Sequence, residues 1–442
     1  MKVLKEMKRQ LSREYAQYLR DLIAEAGRVD AGRQVFGAGK HQYRLGPVLA
    51  LEEIRRVETQ RQMKFPEEYV FYLTQVGDGG ARPYYGLYPF ERVMRENRNP
   101  CLGQIFEQTV MPGITGIQWR EHMQRLDALG ESMETDMECE AYRDKLYAGM
   151  ISVGTQGCTY DHMLMLAGKY AGRIMYMDWN ELPDNPPFDT GMTFLEWMEG
   201  YFRDIIEGYN MKNYGYRQRK TQEQVLEQYS SCPTTAAKRA LLDSLFRQGK
   251  IGAETADFLE ELAFADGDVT DICCVLLVEK EQERGLAVFE KMLAQKRIPA
   301  ICGSIRCLRR LPIQTRSRLY RQVLQVLGEI RDKEGNSVYY FLMDCEQFRA
   351  ADIVEHVGRM EDVELLKTGI YAMGRAQDAL DYVDLFIRWM QSEDFHVAHT
   401  ALQAMAHQKH DKLMPVYLWM QEKYETNSVM LKNLQIAMEH VK

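Results

Sequence analysis

Four histidines in the last third of the chain have a spacing that first suggests chemistry: His396 and His399 stand three apart, and His407 and His410 repeat the interval. On a helix such a pair shares one face, as a metal site requires. No cysteine falls within the same spacing, and Glu393 and Asp394 have no second matching pair of carboxylates for a di-iron site. The expectation is therefore of ordinary repeat-helix histidines, with no metal and no cofactor. Gly37-Ala38-Gly39-Lys40-His41 looks like part of a phosphate loop, but Gln34 stands in place of the outer glycine and His41 in place of the magnesium-binding hydroxyl. Neither Gly-x-Ser-x-Gly nor His-Glu-x-x-His occurs, so the commonest serine hydrolase and zinc protease signatures are missing.

Carboxylates and aromatics offer the other candidate chemistry. Asp161 and Asp178 flank two strand-like runs and, with Glu181 and Asp184, form an acidic surface at one end of a sheet. A hydrolase would need such groups in a cleft with shifted pKa values. Tyr84, Tyr85 and Tyr88 crowd a turn-rich stretch in which alternation turns one ring inward and leaves the others as interface anchors. A run of acids, Glu131, Glu134, Asp136, Glu138 and Glu140, adds a negative segment. No catalytic constellation emerges, and the chain reads as a binding protein and not an enzyme. The expected partner-facing residues are Asp78, Tyr84, Tyr85, Tyr88, Glu134, Asp136, Glu138, Asp161, Asp178, Trp179 and Glu181.

The elements that must position these groups follow from periodicity. Leu4, Met7, Leu11, Tyr15, Tyr18 and Leu22 predict an amphipathic helix over 3–26, stopped by Gly27. Helices are expected over 49–63 and from Phe65-Pro66-Glu67-Glu68 to Gly77, where Pro66 and the two acids suit a helix start. Short strands are expected between Ala81 and Phe90, then at 150–153, 162–167 and 173–179, the last two joined by a hairpin bounded by Gly168 and Gly172. Between 93 and 148 the pattern is helical and acidic. Thr193 caps a helix over 193–209.

Residues 211–222 lack periodicity and read as a linker. Beyond them only short helical patterns recur, about every thirty residues, as in an α-solenoid. Residues 298–308, 363–374 and 395–405 align with one another, and 397–405 resembles the second helix of HEAT-like repeats. The expected architecture is an α+β domain over 1–210 with an acidic helical insertion at 93–148, a linker at 211–222, and an all-α HEAT-like repeat domain over 223–442.

At 442 residues the chain needs more than one core. It is 45% apolar and 27% charged, an ordinary globular balance, and its 26 methionines read as core filler. Residues 1–44 are basic on balance, yet the formal net charge is -8, which disfavours nucleic acid and membrane surfaces as partners. Nine cysteines, with Cys273 and Cys274 adjacent, fit neither a disulfide framework nor a zinc site. With no apolar run of eighteen residues and no leader-like segment, a cytoplasmic location is expected.

Three stretches, in order, resemble the SUKH superfamily. Phe65-Pro66-Glu67-Glu68-Tyr69-Val70-Phe71-Tyr72-Leu73 running into Gly77-Asp78-Gly79-Gly80 and Gly86-Leu87-Tyr88-Pro89-Phe90 is similar to the family's Leu-Pro-x-x-Tyr helix, Asn-Gly-Gly turn and strand. Ile151-Ser152-Val153-Gly154-Thr155-Gln156-Gly157-Cys158, the hairpin ending in Gly172 to Asp178, and Thr193-Phe194-Leu195-Glu196-Trp197-Met198 complete the series over about 49–209. Asp78 interrupts the usual turn, and the 93–148 segment is longer than the family's connection. The resemblance implies a mixed sheet with flanking helices and a role in protein binding. It suits a bacterial immunity protein that neutralises a nuclease-like toxin domain or, alternatively, a scaffold or regulatory adaptor related to cell-wall assembly regulators.

Overall fold

The computed structural model describes residues 10–130 and 136–441. Glu131 and Glu134, and Leu4 and Met7 of the expected first helix, lie outside the described residues. The chain is mostly helical, with one four-stranded antiparallel sheet and a helical repeat-like region. It divides into two compact units, Met1–Arg219 with Phe246–Gly249, and Lys220–Leu245 with Lys250–Lys442. Tyr214, from the segment read as a linker, is buried in the core of the first unit. Among the described residues no helix is long and apolar enough to cross a membrane. All nine cysteines are free thiols.

In the first unit, α1 (Arg13–Val29) begins at Ser12, whose side chain accepts the Tyr15 amide. It runs through Gly27, the expected stop. A Cβ on Gly27 would lie 2.9 Å from the Cβ of Tyr43, so this glycine makes room for a packed tyrosine and does not end the helix. Next come α2 (Ala38–His41), α3 (Leu51–Arg61), α4 (Glu67–Gln75) and α5 (Phe90–Glu96). The strands expected before Phe90 reduce to the isolated bridges Leu45–Gly80 and Gly80–Leu87.

Helices α6 (Gly116–Gly130) and α7 (Asp136–Leu146) precede the strands β1 (Met150–Gly157), β2 (Tyr160–Met165), β3 (Arg173–Asp178) and β4 (Phe188–Thr193). Strand order is β1-β2-β3-β4 with antiparallel neighbours throughout. This corrects the expected mixed sheet: the connections are short, and a parallel pair needs a crossover of about a dozen residues or more. Helix α8 (Phe194–Ile206) follows at once, started by a reciprocal capping box between Thr193 and Glu196.

Alternation gives the sheet two buried faces of different chemistry. Ile151, Val153, Leu164, Ile174 and Tyr176 share a core with residues of α1, α4 and α8, among them Leu19, Leu73 and Trp197. Met150, Met163, Met165, Met175 and Met177 line the other face, against Trp119 and Met123 of α6 and Leu146 of α7. The 93–148 insertion thus includes the helices that cover a methionine face. Each fully buried side chain of this size contributes about 1.5–3 kcal/mol.

The second unit holds α9 (Gln222–Tyr229), α10 (Thr235–Asp243), α11 (Ala253–Ala265), α12 (Thr270–Lys280), α13 (Gln282–Ala294), α14 (Ile298–Leu308) and α15 (Ile313–Leu324). It continues through α16 (Asn336–Met343), α17 (Val354–Val357), α18 (Val363–Arg375), α19 (Val383–Met390), α20 (Phe395–Met405), α21 (Leu413–Lys423) and α22 (Ser428–Val441). The even-numbered helices from α10 to α22 pack one on the next as a continuous layer, and odd-numbered helices form a second layer against them. The three mutually similar segments are α14, α18 and α20, all in the even layer. Close packing there requires small residues: a Cβ on Gly374 of α18 would meet the Cβ of Ala404 in α20 at 2.6 Å.

Candidate functional site

The methionine face becomes polar at one end. Ser152 of β1 and Asp161 of β2 continue the side of the sheet that carries Met150 and Met163, and there a cleft of about 330 Å³ opens against α7 and the residues following α5. Its walls include Asn97, Arg143, Asp144, Tyr147 and Trp179. Because β1 is an edge strand, its Ser152 backbone needs another partner. Asn97 supplies it, accepting the Ser152 amide at 2.8 Å and donating to the Ser152 carbonyl at 3.0 Å.

Asp161 organises the mouth. One carboxylate oxygen accepts from Ser152 Oγ at 2.7 Å and from the Trp179 indole N–H at 3.0 Å. Trp179 is 39% exposed and stands edge-on to Tyr147, with ring centroids 5.2 Å apart. Glu181 closes the group: Arg143 reaches it through two nitrogens at 2.7 and 3.1 Å, and the Tyr147 hydroxyl donates to it at 2.7 Å. The hydrogen bond to Glu181 raises the Arg143 pKa, while burial and then the Glu181 charge raise that of Tyr147. Burial, with Glu140 nearby, also raises the Asp144 pKa. Among the described residues no histidine or cysteine lines the cleft. What it offers is a half-exposed indole beside carboxylates, a surface for a cation or a hydrogen-bond donor.

The structure therefore brings together Asp161, Trp179 and Glu181. Asp178 belongs elsewhere, a correction to the expected surface. It shares strand parity with Ile174 and Tyr176, is buried, and accepts from Thr159 Oγ1 at 2.6 Å, Asn185 Nδ2 at 2.8 Å and the Asn180 amide at 3.0 Å. Burial works to raise its pKa, but these hydrogen bonds outweigh it and hold the group below the usual carboxylate range. Tyr84 is likewise internal, its hydroxyl on the Tyr214 carbonyl at 3.0 Å.

Asp78 is half-buried and accepts the Phe90 amide at 2.7 Å, serving the start of α5. Tyr88 lies under the Arg92 guanidinium at 3.6 Å, whereas Tyr85 is exposed and pairs with the exposed Phe36. Asp136 and Glu138 are exposed in the first turn of α7. Glu134 lies outside the described residues. In the second unit His396 and His407 are exposed, and the His407 ring meets His440, not His410, with centroids 4.5 Å apart. Among the described residues no group of three or more His, Cys, Asp or Glu side chains could hold a metal ion.

Sequence reasoning missed Ser152, Asn97, Arg143 and Tyr147, and also a buried cation. The Arg82 guanidinium is fully enclosed, donating to the Val153 carbonyl at 2.9 Å, sitting 2.8 Å from His162 Nδ1, and lying 4.7 Å from the centre of the Trp197 ring. Among the described residues no carboxylate forms an ion pair with it. Burial, and secondarily Arg82, pushes the His162 pKa well down, so the ring is neutral and Nδ1 accepts. Burial lowers the Arg82 pKa to about 10, which leaves it charged at neutral pH.

No family model and no curated protein matches the sequence. The SUKH resemblance therefore rests on its motifs alone. Among solved structures, a designed armadillo repeat protein in complex with the peptide (KR)4 is 12% identical, with 50% of this chain and 100% of that one covered at a TM-score of 0.31. That likeness is too distant to bear on fold or function.

Proposed function

We propose that this chain is a non-catalytic protein-binding protein and, within that class, an immunity-type inhibitor that neutralises a basic, nuclease-like toxin domain. The observation that carries the reading is Trp179, held half-exposed by Asp161 and Tyr147. Interface energy concentrates in such aromatic anchors with charged neighbours. Exposed Asp136 and Glu138 on α7, the helix that also bears Arg143, and the formal net charge of -8 favour a cationic partner through faster association. The SUKH-like motifs of 49–209 point the same way.

A scaffold or adaptor role is the second reading, favoured by the exposed Tyr340 and Tyr371 on the successive even-layer helices α16 and α18. Co-purification with full-length protein from native cells, identified by mass spectrometry, separates the two. The expected result is capture of a toxin domain that is lost when Trp179→Ala and Asp161→Ala are combined. A partner kept by that variant and lost with Tyr340→Ala and Tyr371→Ala would overturn the inhibitor reading in favour of the adaptor.

A further inference from the structure

The lining of the Asp161 cleft joins two kinds of surface. Met150, Met163 and Leu102, each at most 3% exposed, belong to it together with Asp144, Asp161 and Trp179. Apolar walls beside carboxylates suit a long side chain that is apolar along its stem and charged at its head. The volume of about 330 Å³ sets the scale: it admits one such side chain and not a helix, which is about 10 Å across.

The sign of that charge follows from the groups that are already paired. Arg143 is held by Glu181, and Glu96 by Arg92. Among the described residues neither Asp144 nor Asp161 forms an ion pair, and Asp161 Oδ1 accepts no hydrogen bond, because Ser152 and Trp179 both donate to Oδ2. The lining residue that opposes these two carboxylates is Arg98, which is exposed with its Nε on the Arg95 carbonyl at 3.1 Å. The uncompensated charge of the cleft is therefore negative. Trp179 narrows the choice. Its one polar atom is committed to Asp161, so its exposed part offers a π surface, and the carboxylate lies beside that ring. Among the described residues no group of three or more ligands could hold a metal ion, which leaves an organic cation. A guanidinium is flat and weakly hydrated and stacks on such a ring, whereas an ammonium is compact and holds its water strongly.

We propose that the Asp161 cleft receives an arginine side chain of the protein partner, with its guanidinium on the Trp179 ring and against Asp161 and Asp144, and its methylenes along Met150 and Met163. The inference rests on the reading of this cleft as the partner-binding site and names the group that enters it. The probe is that side chain itself, Nα-acetyl-arginine methylamide, titrated into the full chain labelled at its tryptophan indole nitrogens and followed by NMR, with Trp179→Phe identifying the Trp179 signal. Saturable displacement of that signal is expected, with binding about tenfold or more weaker for the uncharged citrulline analogue of the same shape, and weaker also for the lysine analogue. Asp161→Asn keeps the shape and removes the charge, and should weaken arginine binding by about tenfold, with circular dichroism confirming the fold. No saturable displacement by the arginine probe would overturn the proposal. So would equal binding of the citrulline analogue, a comparison made on the unsubstituted chain, and equal binding of the lysine analogue would overturn the guanidinium. Failure here and failure of the inhibitor reading are distinguishable: a toxin domain captured through Trp179 and Asp161 without probe binding would overturn the arginine alone, whereas probe binding without a captured toxin would support the arginine and count against the inhibitor.

Discussion

The two faces of the four-stranded sheet are made in opposite ways. One carries β-branched and aromatic side chains and encloses a polar knot, Arg82 with His162 between Trp197 and Tyr176. The other is nearly all methionine, covered by α6 and α7, and keeps its polar groups at its open end, where Ser152 and Asp161 meet the cleft. Branched chains and rings have few rotamers and specify one packing, whereas methionine adapts to what lies against it. Rigidity therefore resides on the α8 side, while the adaptable face adjoins the candidate binding site.

The largest break in this comparison is expected from Arg82→Ala. It removes a buried side chain together with the partner of the Val153 carbonyl and of His162, and should cost about 3–5 kcal/mol, read as a lower urea midpoint. Gly154→Ala attacks the same knot from the strand: a Cβ there would lie 1.9 Å from an Arg82 nitrogen. Overpacking of this kind costs about 1–3 kcal/mol. A neutral result for both would mean that the knot contributes little to the rigid face.

Acid acts on the rigid side, where His41 and His162, the two buried histidines among the described residues, both lie near Arg82. Burial, aided by the Arg82 charge, pushes His41 down to about 4 and His162 well below its ordinary value. Above pH 6.5 these rings are neutral both folded and unfolded, so they add no pH dependence. As pH falls through 6.5 the unfolded chain takes up protons that the folded one refuses, and stability drops by up to about 1.4 kcal/mol per pH unit for each histidine. For His41 this continues until about pH 4. Urea titrations from pH 7 to 5 should therefore show a shallower loss in His41→Asn than in the unsubstituted chain, and parallel curves would rule His41 out as a source.

The sequence made the outer logic of this unit legible and hid the inner one. The runs 162–167 and 173–179 are nearly continuous apolar segments, as strands buried on both faces are, and Thr193 announces α8. Strand β4 went unseen because Asp189 and Gly191 have little strand character and outweigh Thr190, and the strand is held by pairing with β3. Parity was sufficient to place Asp178 on the face of Ile174 and Tyr176, and Asp161 on the methionine face with Met163. Nothing local marked Arg82, which lies between Ala81 and Pro83 in a turn-rich stretch and becomes buried through contacts 71 and 80 residues away. In the second unit, similarity among three helices revealed one layer.

Substitutions on β3 decide whether the faces differ in kind. Ile174 and Met175 are neighbours on β3, both essentially unexposed, pointing to opposite sides. Ile174→Ala should cost about 2–5 kcal/mol, the range for emptying a core position whose surroundings cannot collapse. Met175→Leu nearly conserves volume and should cost less than about 1.5 kcal/mol. The sharper variant is Ile174→Met, which gives the rigid face the residue of the adaptable one. If the faces differ as described, it costs more than Met175→Leu in the same urea titration, because α8 and the Arg82 knot cannot shift to accept an unbranched chain. Equal costs would make the methionine face as specified as its opposite and remove the argument that flexibility is placed beside the Asp161 cleft.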